Sequence, residues 1–80
     1  MTPARECLEL LAANDGAWLF GLDMVKRSRG LKRGTVYVHL GELEDAGYVR
    51  SKPGDIAHGL ERRVYQLTSS GRAALLRDDL

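Results

Sequence analysis

Several residue types and patterns that define other protein classes are scarce in this sequence. Its single cysteine, Cys7, excludes an internal disulfide and a zinc site built from several thiolates. The longest unbroken apolar runs have four residues, such as 17–20, whereas a membrane-spanning helix needs about 20. The N-terminus has no basic segment followed by an apolar one, so no secretory leader is expected. These absences predict a soluble, cytoplasmic protein with no membrane contact.

The chain is also short for an enzyme. With 80 residues, 44% hydrophobic and 29% charged, it predicts one domain over residues 1–80. A domain of this size buries about 60% of its unfolded surface, so a substrate cleft would take up much of a small core. The residues that could ligate a metal or act as a nucleophile lack the required spacing: Cys7, Asp15, Asp23, His39 and His58. We expect a binding protein without enzymatic activity, metal or cofactor.

Charge is distributed unevenly along the chain. The formal net charge is +1, but residues 24–63 hold nine basic and five acidic side chains, and the two ends are net acidic. No acidic residue occurs in 24–41, where five cations cluster: Lys26, Arg27, Arg29, Lys32 and Arg33. Such a cluster fits either a solvated helix end or a surface that binds phosphates. Charge alone leaves both interpretations open.

Helical spacing of apolar residues predicts three helices in the first half of the chain. Thr2 and Pro3 predict a capped start of the first helix, which ends at 14–16. The second helix is expected over 21–28, with Leu22 and Val25 facing the core. The third is expected from Lys32 or Arg33 to Ala46, and its buried stripe is Val36, Leu40, Leu43 and Gly47.

The second half of the chain changes to an alternating pattern. Residues 48–51 and 63–67 predict two paired strands, and 52–62, with Pro53 and Gly54, predicts a long projecting loop. Thr68 then caps a last helix over 69–77, with an apolar edge formed by Ala73, Leu76 and Leu80. Residues 17–20 fit either a brief strand or core contacts, and Trp18 fits a core or interface anchor better than a platform for bases.

This order of elements predicts a mostly helical α+β fold, the winged helix-turn-helix. A three-helix core would carry a two-stranded β-wing and a C-terminal helix. The cluster in 24–41 then lies at the helix-turn-helix, and a second basic set lies at the ends of the wing: Arg50, Lys52, Arg62 and Arg63. Two basic sets on one side of the fold favour binding to double-stranded DNA.

The position of each residue in this fold suggests its contact. Base-reading side chains lie near the start of a recognition helix, so we expect Lys32, Arg33, Thr35, Val38 and His39 to face the major groove. A contact within the first helical turn for Thr35, and an ordinary surface position for His39, fit equally well. Because a strand alternates, one of Arg62 and Arg63 is expected to support the fold. The residues expected at phosphates are Lys26, Arg27, Arg29, Arg50, Lys52, Arg62 and Arg63, with His58 at the wing tip.

Residues 16–72 also resemble a known family. The matching segments are Gly34-Thr35-Val36-Tyr37, Leu40, Leu43-Glu44, Gly47-Tyr48-Val49, Arg62 to Thr68, and Gly71-Arg72. They are similar to the winged-helix domain of PadR-type transcriptional regulators, within the wider MarR-like group. The resemblance implies sequence-specific binding to operator DNA as a homodimer, usually with repression. It also implies that Tyr37 packs, with its hydroxyl reaching a phosphate or a backbone group.

The sequence leaves several binding partners of the chain possible, including a second copy of itself. PadR-type proteins dimerise through additional C-terminal helix, whereas about nine residues follow Gly71 here, so we expect the first and last helices to form the dimer. The main rival function is a winged helix that docks an acidic protein partner on the same basic face. Binding to RNA is disfavoured because exposed aromatic residues are not interleaved with the basic ones. The sequence does not indicate a small-molecule effector.

Overall fold

The computed structural model describes residues 2–14, 16–57 and 60–77, and for residues 56, 57, 60 and 61 it describes the backbone alone. Within these ranges the chain forms four helices and one antiparallel three-stranded sheet of order β1-β3-β2. The elements, in chain order, are α1 (Pro3–Ala13), β1 (Leu19–Phe20), α2 (Gly21–Arg27), α3 (Val36–Asp45), β2 (Val49–Ala57), β3 (Leu60–Leu67) and α4 (Ser69–Arg77). The predicted α+β winged helix-turn-helix is confirmed, with β1 as a third strand beside the wing.

Side-chain caps fix the starts of two helices. The Thr2 hydroxyl accepts a hydrogen bond from the Arg5 N–H at 3.1 Å, as expected for α1. At α4 the Thr68 hydroxyl accepts from the Gly71 N–H at 3.1 Å, which confirms the second predicted cap. Asp15, expected at the end of α1, lies outside the described residues.

The start of α4 is joined closely to the start of β2. The Thr68 N–H donates to the Tyr48 carbonyl at 3.1 Å, and the Thr68 hydroxyl donates to the Gly47 carbonyl at 2.7 Å. A Cβ at Gly71 would collide with the Tyr48 carbonyl oxygen, so α4 approaches this backbone as closely as a glycine permits. Gly47, whose φ is 83°, ends α3 immediately before this joint.

The core lies between the helices and one face of the sheet. It contains Cys7, Leu8 and Leu11 from α1, the α3 stripe of Val36, Leu40 and Leu43, and sheet residues such as Leu19, Val49, Tyr65 and Leu67. The expected inward residues of α2 are confirmed in part, because Val25 is half-buried and packs against the core, whereas Leu22 is half-buried outside that cluster and the fully buried residue is Met24.

The apolar edge expected on α4 lies at the surface, where Leu76 is 84% exposed and Ala73 half-buried; the buried residues of the helix are Gly71 and Ala74, and Leu80 lies outside the described residues. One later expectation about burial was wrong. Gly47 does not extend the buried stripe of α3, because it follows the end of the helix and is exposed.

Two predicted element boundaries need correction. Helix α3 begins at Val36, because residues 32–35 form a separate turn in which the Lys32 carbonyl accepts from the N–H groups of Thr35 and Val36. The expected loop over 52–62 is mostly strand: β2 and β3 pair as far as Ala57 and Leu60. Pro53 and Gly54 mark a shift in register within β2, which is typical of a β-bulge.

The pairing register assigns side chains to the two faces of the sheet. Residues directly opposite each other share a face, so Leu19, Ser51 and Tyr65 face the helices. Phe20, Lys52 and Val64 lie opposite one another on the other face, which we call the outer face. Strand β2 is the edge strand that packs against α3.

Candidate nucleic-acid interface

The turn between α2 and α3 is held by one serine. The Ser28 hydroxyl accepts hydrogen bonds from the Leu31 N–H at 2.6 Å and the Gly30 N–H at 3.1 Å. Leu31 is buried, so the turn is anchored to the core. The exposed Lys32 and Arg33 follow directly and precede the first turn of α3.

One side of α3 is exposed and carries polar and apolar groups. Val38 is 60% exposed and Tyr37 44%, and Thr35 is also exposed. The Tyr37 ring packs over the backbone of Gly21, where a Cβ would lie 2.7 Å from the tyrosine Cε1. The side chain of His39 is half-buried, and its Nδ1 lies 3.8 Å from a carboxylate oxygen of Glu42. We call Lys32, Arg33, Thr35, Tyr37, Val38 and His39 the helix surface.

The cations at the end of α2 are exposed, and one of them contacts the residue that follows α1. Lys26 and Arg27 lie in the last turn of α2, where basic side chains complement the helix dipole. Arg27 donates from Nη1 to Oδ1 of Asn14 at 3.3 Å. The side chain of Arg29 is exposed, and its backbone N–H donates to a carboxylate oxygen of Glu6 at 3.4 Å.

Three wing cations lie on the outer face of the sheet and stack on aromatic rings. Lys52 Nζ is 4.3 Å from the centroid of the Trp18 ring, and the guanidinium carbon of Arg50 is 5.7 Å from it. The guanidinium carbon of Arg62 is 4.3 Å from the centroid of Phe20. We call Trp18, Phe20, Arg50, Lys52 and Arg62 the outer wing surface.

Of the two roles expected for Trp18, a core anchor is therefore wrong, and an interface anchor stays a prediction. Leu19 is buried, and in a strand its two neighbours point to the opposite face, so Trp18 and Phe20 both lie outside. Sequence reasoning did not place these two aromatics beside cations. The signal was present in the alternation of residues 18–20 and in the matching alternation of Arg50 and Lys52 along β2.

Arg63 lies on the face of the sheet that contacts the helices. Its Nε and Nη2 donate to the Ser51 hydroxyl at 3.3 and 3.1 Å, and that hydroxyl donates to a Glu44 carboxylate oxygen at 2.7 Å. These contacts connect β3, β2 and α3. Burial, followed by the nearby Glu44 carboxylate, raises the pKa of the neighbouring Tyr65. Arg62 and Arg63 thus point to opposite faces, and His58 lies outside the described residues.

A metal site, a membrane-spanning helix or a reactive thiol would each indicate another function. Across residues 2–14, 16–57 and 60–77 there is no group of three or more potential metal ligands. No helix in this part of the chain has the length and apolar composition needed to cross a membrane. Cys7 is fully buried, and desolvation, with a smaller effect of Glu6, raises its pKa from the usual 9.0 to about 11.

Solved structures of similar fold cover nearly the whole chain. The TA0346 protein of Thermoplasma acidophilum has a TM-score of 0.77 at 21% identity, over 94% of this chain and 72% of its own. A PadR family transcription regulator of Clostridium difficile has a TM-score of 0.75 at 24% identity, over 96% and 82%. Bacillus subtilis PadR, solved in complex with operator DNA, has a TM-score of 0.76 at 24% identity, over 96% of this chain and 47% of its own.

Sequence comparison identifies the family directly. A search of curated proteins finds no significant match. The sequence profile of the family described as "Transcriptional regulator PadR-like family", however, matches residues 8–77, nearly the whole winged helix. The chain therefore belongs to the PadR-like family of transcriptional regulators.

Proposed function

We propose that this PadR-like regulator represses transcription by binding a specific operator in double-stranded DNA. The observation that carries the proposal is the helix surface, in which two exposed cations, Lys32 and Arg33, precede the exposed side of α3. They belong to the segment 24–41, which has no acidic residues. The fold likeness to a protein solved with operator DNA supports the same conclusion.

The helix surface supplies the groups that read bases in a major groove. Arg33 or Lys32 would donate to O6 and N7 of a guanine, and the methyl groups of Thr35 and Val38 would contact a thymine methyl. His39 lies one helical turn after Thr35, where it would contact a base edge or the backbone. The buried stripe of Val36, Leu40 and Leu43 fixes the orientation of these groups, since it ties α3 to the core.

Phosphate contacts would come from two sides of the helix surface. Lys26, Arg27 and Arg29 are exposed near the turn before α3. On the wing, the outer cations Arg50, Lys52 and Arg62 would bind the neighbouring backbone. Arg63 and Tyr37 would act mainly through the packing that positions β2 and α3, and His58 remains a prediction for the wing tip.

We further propose a cytoplasmic homodimer without enzymatic activity or cofactor. Leu76 on α4 is 84% exposed, and Leu75 on α4 and Leu10 on α1 are partly buried against the core. These leucines on α1 and α4 support the proposal that the two helices supply an apolar contact between subunits. A dimer formed by α1 and α4 would present two α3 helices to a palindromic operator.

Selection of duplexes from a random DNA pool at near-physiological salt tests the proposed function. The expected product is a palindrome with half-sites about 10 base pairs apart, bound about 1000-fold more tightly than scrambled DNA. Absence of any enriched sequence would contradict operator binding and favour docking of an acidic protein on the helix surface. A non-palindromic product would retain DNA binding and contradict the dimer.

A further inference from the structure

Each cation of the outer wing surface is held by neighbouring side chains. Lys52 lies against Trp18, and Arg50 lies near the same ring while its Nε donates to Gln66 at 2.6 Å. Arg62 lies over Phe20, with Nη1 3.7 Å from an Asp55 carboxylate oxygen. Arg50 and Lys52 nevertheless remain exposed to solvent.

The bulge in β2 makes room for one of the two rings. A Cβ at Gly54 would lie 2.7 Å from a carbon of the Phe20 ring and 2.9 Å from a methyl group of Val64. Glycine at this position thus permits the ring to approach β2 closely. The Phe20 ring is packed between strand residues below and the Arg62 guanidinium above.

Stacking prepares these side chains for binding. A lysine or arginine side chain that is immobilised at an interface loses rotamer freedom, and this loss weakens binding. An aromatic ring beneath a cation restricts the side chain through the cation–π attraction before any partner binds. The N–H groups of the cation that point away from the ring remain able to donate hydrogen bonds. The outer wing surface therefore offers pre-oriented charges on two strands: Arg50 and Lys52 on β2, the edge strand that packs against α3, and Arg62 on the central strand β3.

We propose that Trp18 and Phe20 are positioning residues that hold Arg50, Lys52 and Arg62 for binding to the phosphate backbone of duplex DNA. This inference rests on the proposed function. Duplex DNA is the better partner than an acidic protein, because cations cover the rings that would otherwise provide the apolar centre of a protein interface. Binding to DNA phosphates requires cationic groups and hydrogen-bond donors, and it does not require an apolar side chain buried at the centre of the interface.

The test compares substitutions in the ring with substitutions in the cation, using the selected operator and fluorescence anisotropy over a range of salt. Trp18→Leu keeps all three charges, so it should weaken binding about two- to fivefold and leave the salt slope unchanged. Lys52→Met removes a charge and should flatten that slope by about one unit. Trp18→Phe retains an aromatic ring and should restore most of the affinity.

The ring and the cation should also act as a pair. In the double variant Trp18→Leu with Lys52→Met, the loss should be smaller than the product of the two single losses, because the ring then has no lysine to position. Phe20→Leu and Arg62→Met form a second pair for the same analysis if Trp18→Leu does not fold, as judged by circular dichroism.

Trp18 is the single tryptophan of the sequence, so its fluorescence reports on this surface alone. Operator binding should change its emission in the wild type and change it less in Lys52→Met. Unaltered emission on binding, or a folded Trp18→Leu that binds as tightly as the wild type, would overturn the inference while operator binding stands. If no duplex binds the wild type, the proposed function itself fails. Displacement of the operator by polyglutamate at equal charge would assign the surface to an acidic polypeptide and overturn the inference.

Discussion

Side chains near the start of α3 differ in the contact that each can make with DNA. Arg33 lies in the turn before the helix, where an arginine can donate two hydrogen bonds to one guanine. Lys26 lies at the end of α2, a position suited to a phosphate. Base contacts and phosphate contacts have different consequences when they are removed, which allows the two roles to be separated.

We predict that Arg33→Ala relaxes the preference at one base pair and weakens operator binding by about 1 to 3 kcal/mol. Titration of the operator and of its single base-pair variants measures this effect. The control, Lys26→Ala, should weaken binding to every duplex by a similar factor. Equal effects of the two variants on all duplexes would contradict the division of roles.

Two glycines in helices differ in the space available for a side chain. Gly71 faces the Tyr48 carbonyl oxygen with no room for a Cβ, whereas a Cβ at Gly41 would have no atom within 4 Å. We predict that Gly71→Ala lowers the free energy of unfolding by about 2 kcal/mol or more, because backbone must move. Gly41→Ala should raise it by about 0.5 to 1 kcal/mol. Urea unfolding measures both, and a tolerated Gly71→Ala would contradict the close approach.

The buried thiol of Cys7 should make the fold sensitive to alkali. Its pKa is raised from 9.0 to about 11 in the folded chain, so above pH 9 the unfolded chain releases the proton first. We predict that stability is retained below pH 9 and falls as the pH rises toward 11. Cys7→Ala should show a smaller alkaline loss, measured by urea unfolding at several pH values. Alkaline losses of equal size would contradict this role.

At the scale of secondary structure, α3 and the wing are held together by polar contacts at the edge of the core. Glu44, Ser51 and Arg63 come from α3, β2 and β3, and the Ser51 hydroxyl contacts both of the others. Because Ser51 is half-buried, loss of this hydroxyl leaves both charged partners less well satisfied.

We predict that Ser51→Ala lowers the free energy of unfolding by about 1 to 2 kcal/mol, measured by urea unfolding. Ser70→Ala, at an exposed position in α4, should change it by less than about 0.5 kcal/mol. Because Ser51 does not carry charge, the salt slope of operator binding should stay at the wild-type value. A reduced slope in Ser51→Ala would indicate that Arg63 itself binds a phosphate.

The sequence predicted the existence of most elements and missed the ends of two of them. Apolar spacing identified α1, α2 and α3, and the threonines at 2 and 68 marked two helix starts. The sequence does not distinguish the turn at 32–35 from helix, because the hydrogen bonds to the Lys32 carbonyl mimic a helical turn. Pro53 and Gly54 predict a loop because a turn and a bulge use the same residue types, and the choice between them depends on the partner strand.

The sequence predicts which residues belong to the candidate site better than it predicts how those residues are arranged in space. The basic residues were identifiable from charge alone, and the structure keeps Lys32 and Arg33 beside α3. Which face each wing cation occupies depends on the register of three strands, a tertiary property that no local pattern fixes. For this reason the stacking of Lys52 on Trp18 was not foreseen.

At the scale of the whole molecule, the proposed homodimer makes a prediction about mass. Leu76→Glu places a charge on the exposed edge of α4, where it should disfavour an apolar contact between subunits and leave the monomer folded. Sedimentation at several concentrations should show a dimer for the wild type and a monomer for this variant. Arg72→Glu, an exposed change at the start of the same helix, is the matched control and should remain dimeric. A wild-type monomer at high concentration would contradict the dimer.

The joint between α4 and the start of β2 has a consequence for operator architecture. Thr68 and Gly71 bind α4 so tightly to the backbone at Tyr48 that the helix leaves the domain in a fixed direction. In a dimer formed through α4, this joint would fix the distance between the two α3 helices. Five extra base pairs between half-sites turn one of them about half a helical turn around the duplex. A dimer whose α4 helices are rigidly joined to their domains cannot follow that rotation. Such an operator should therefore lose the binding contribution of its second half-site.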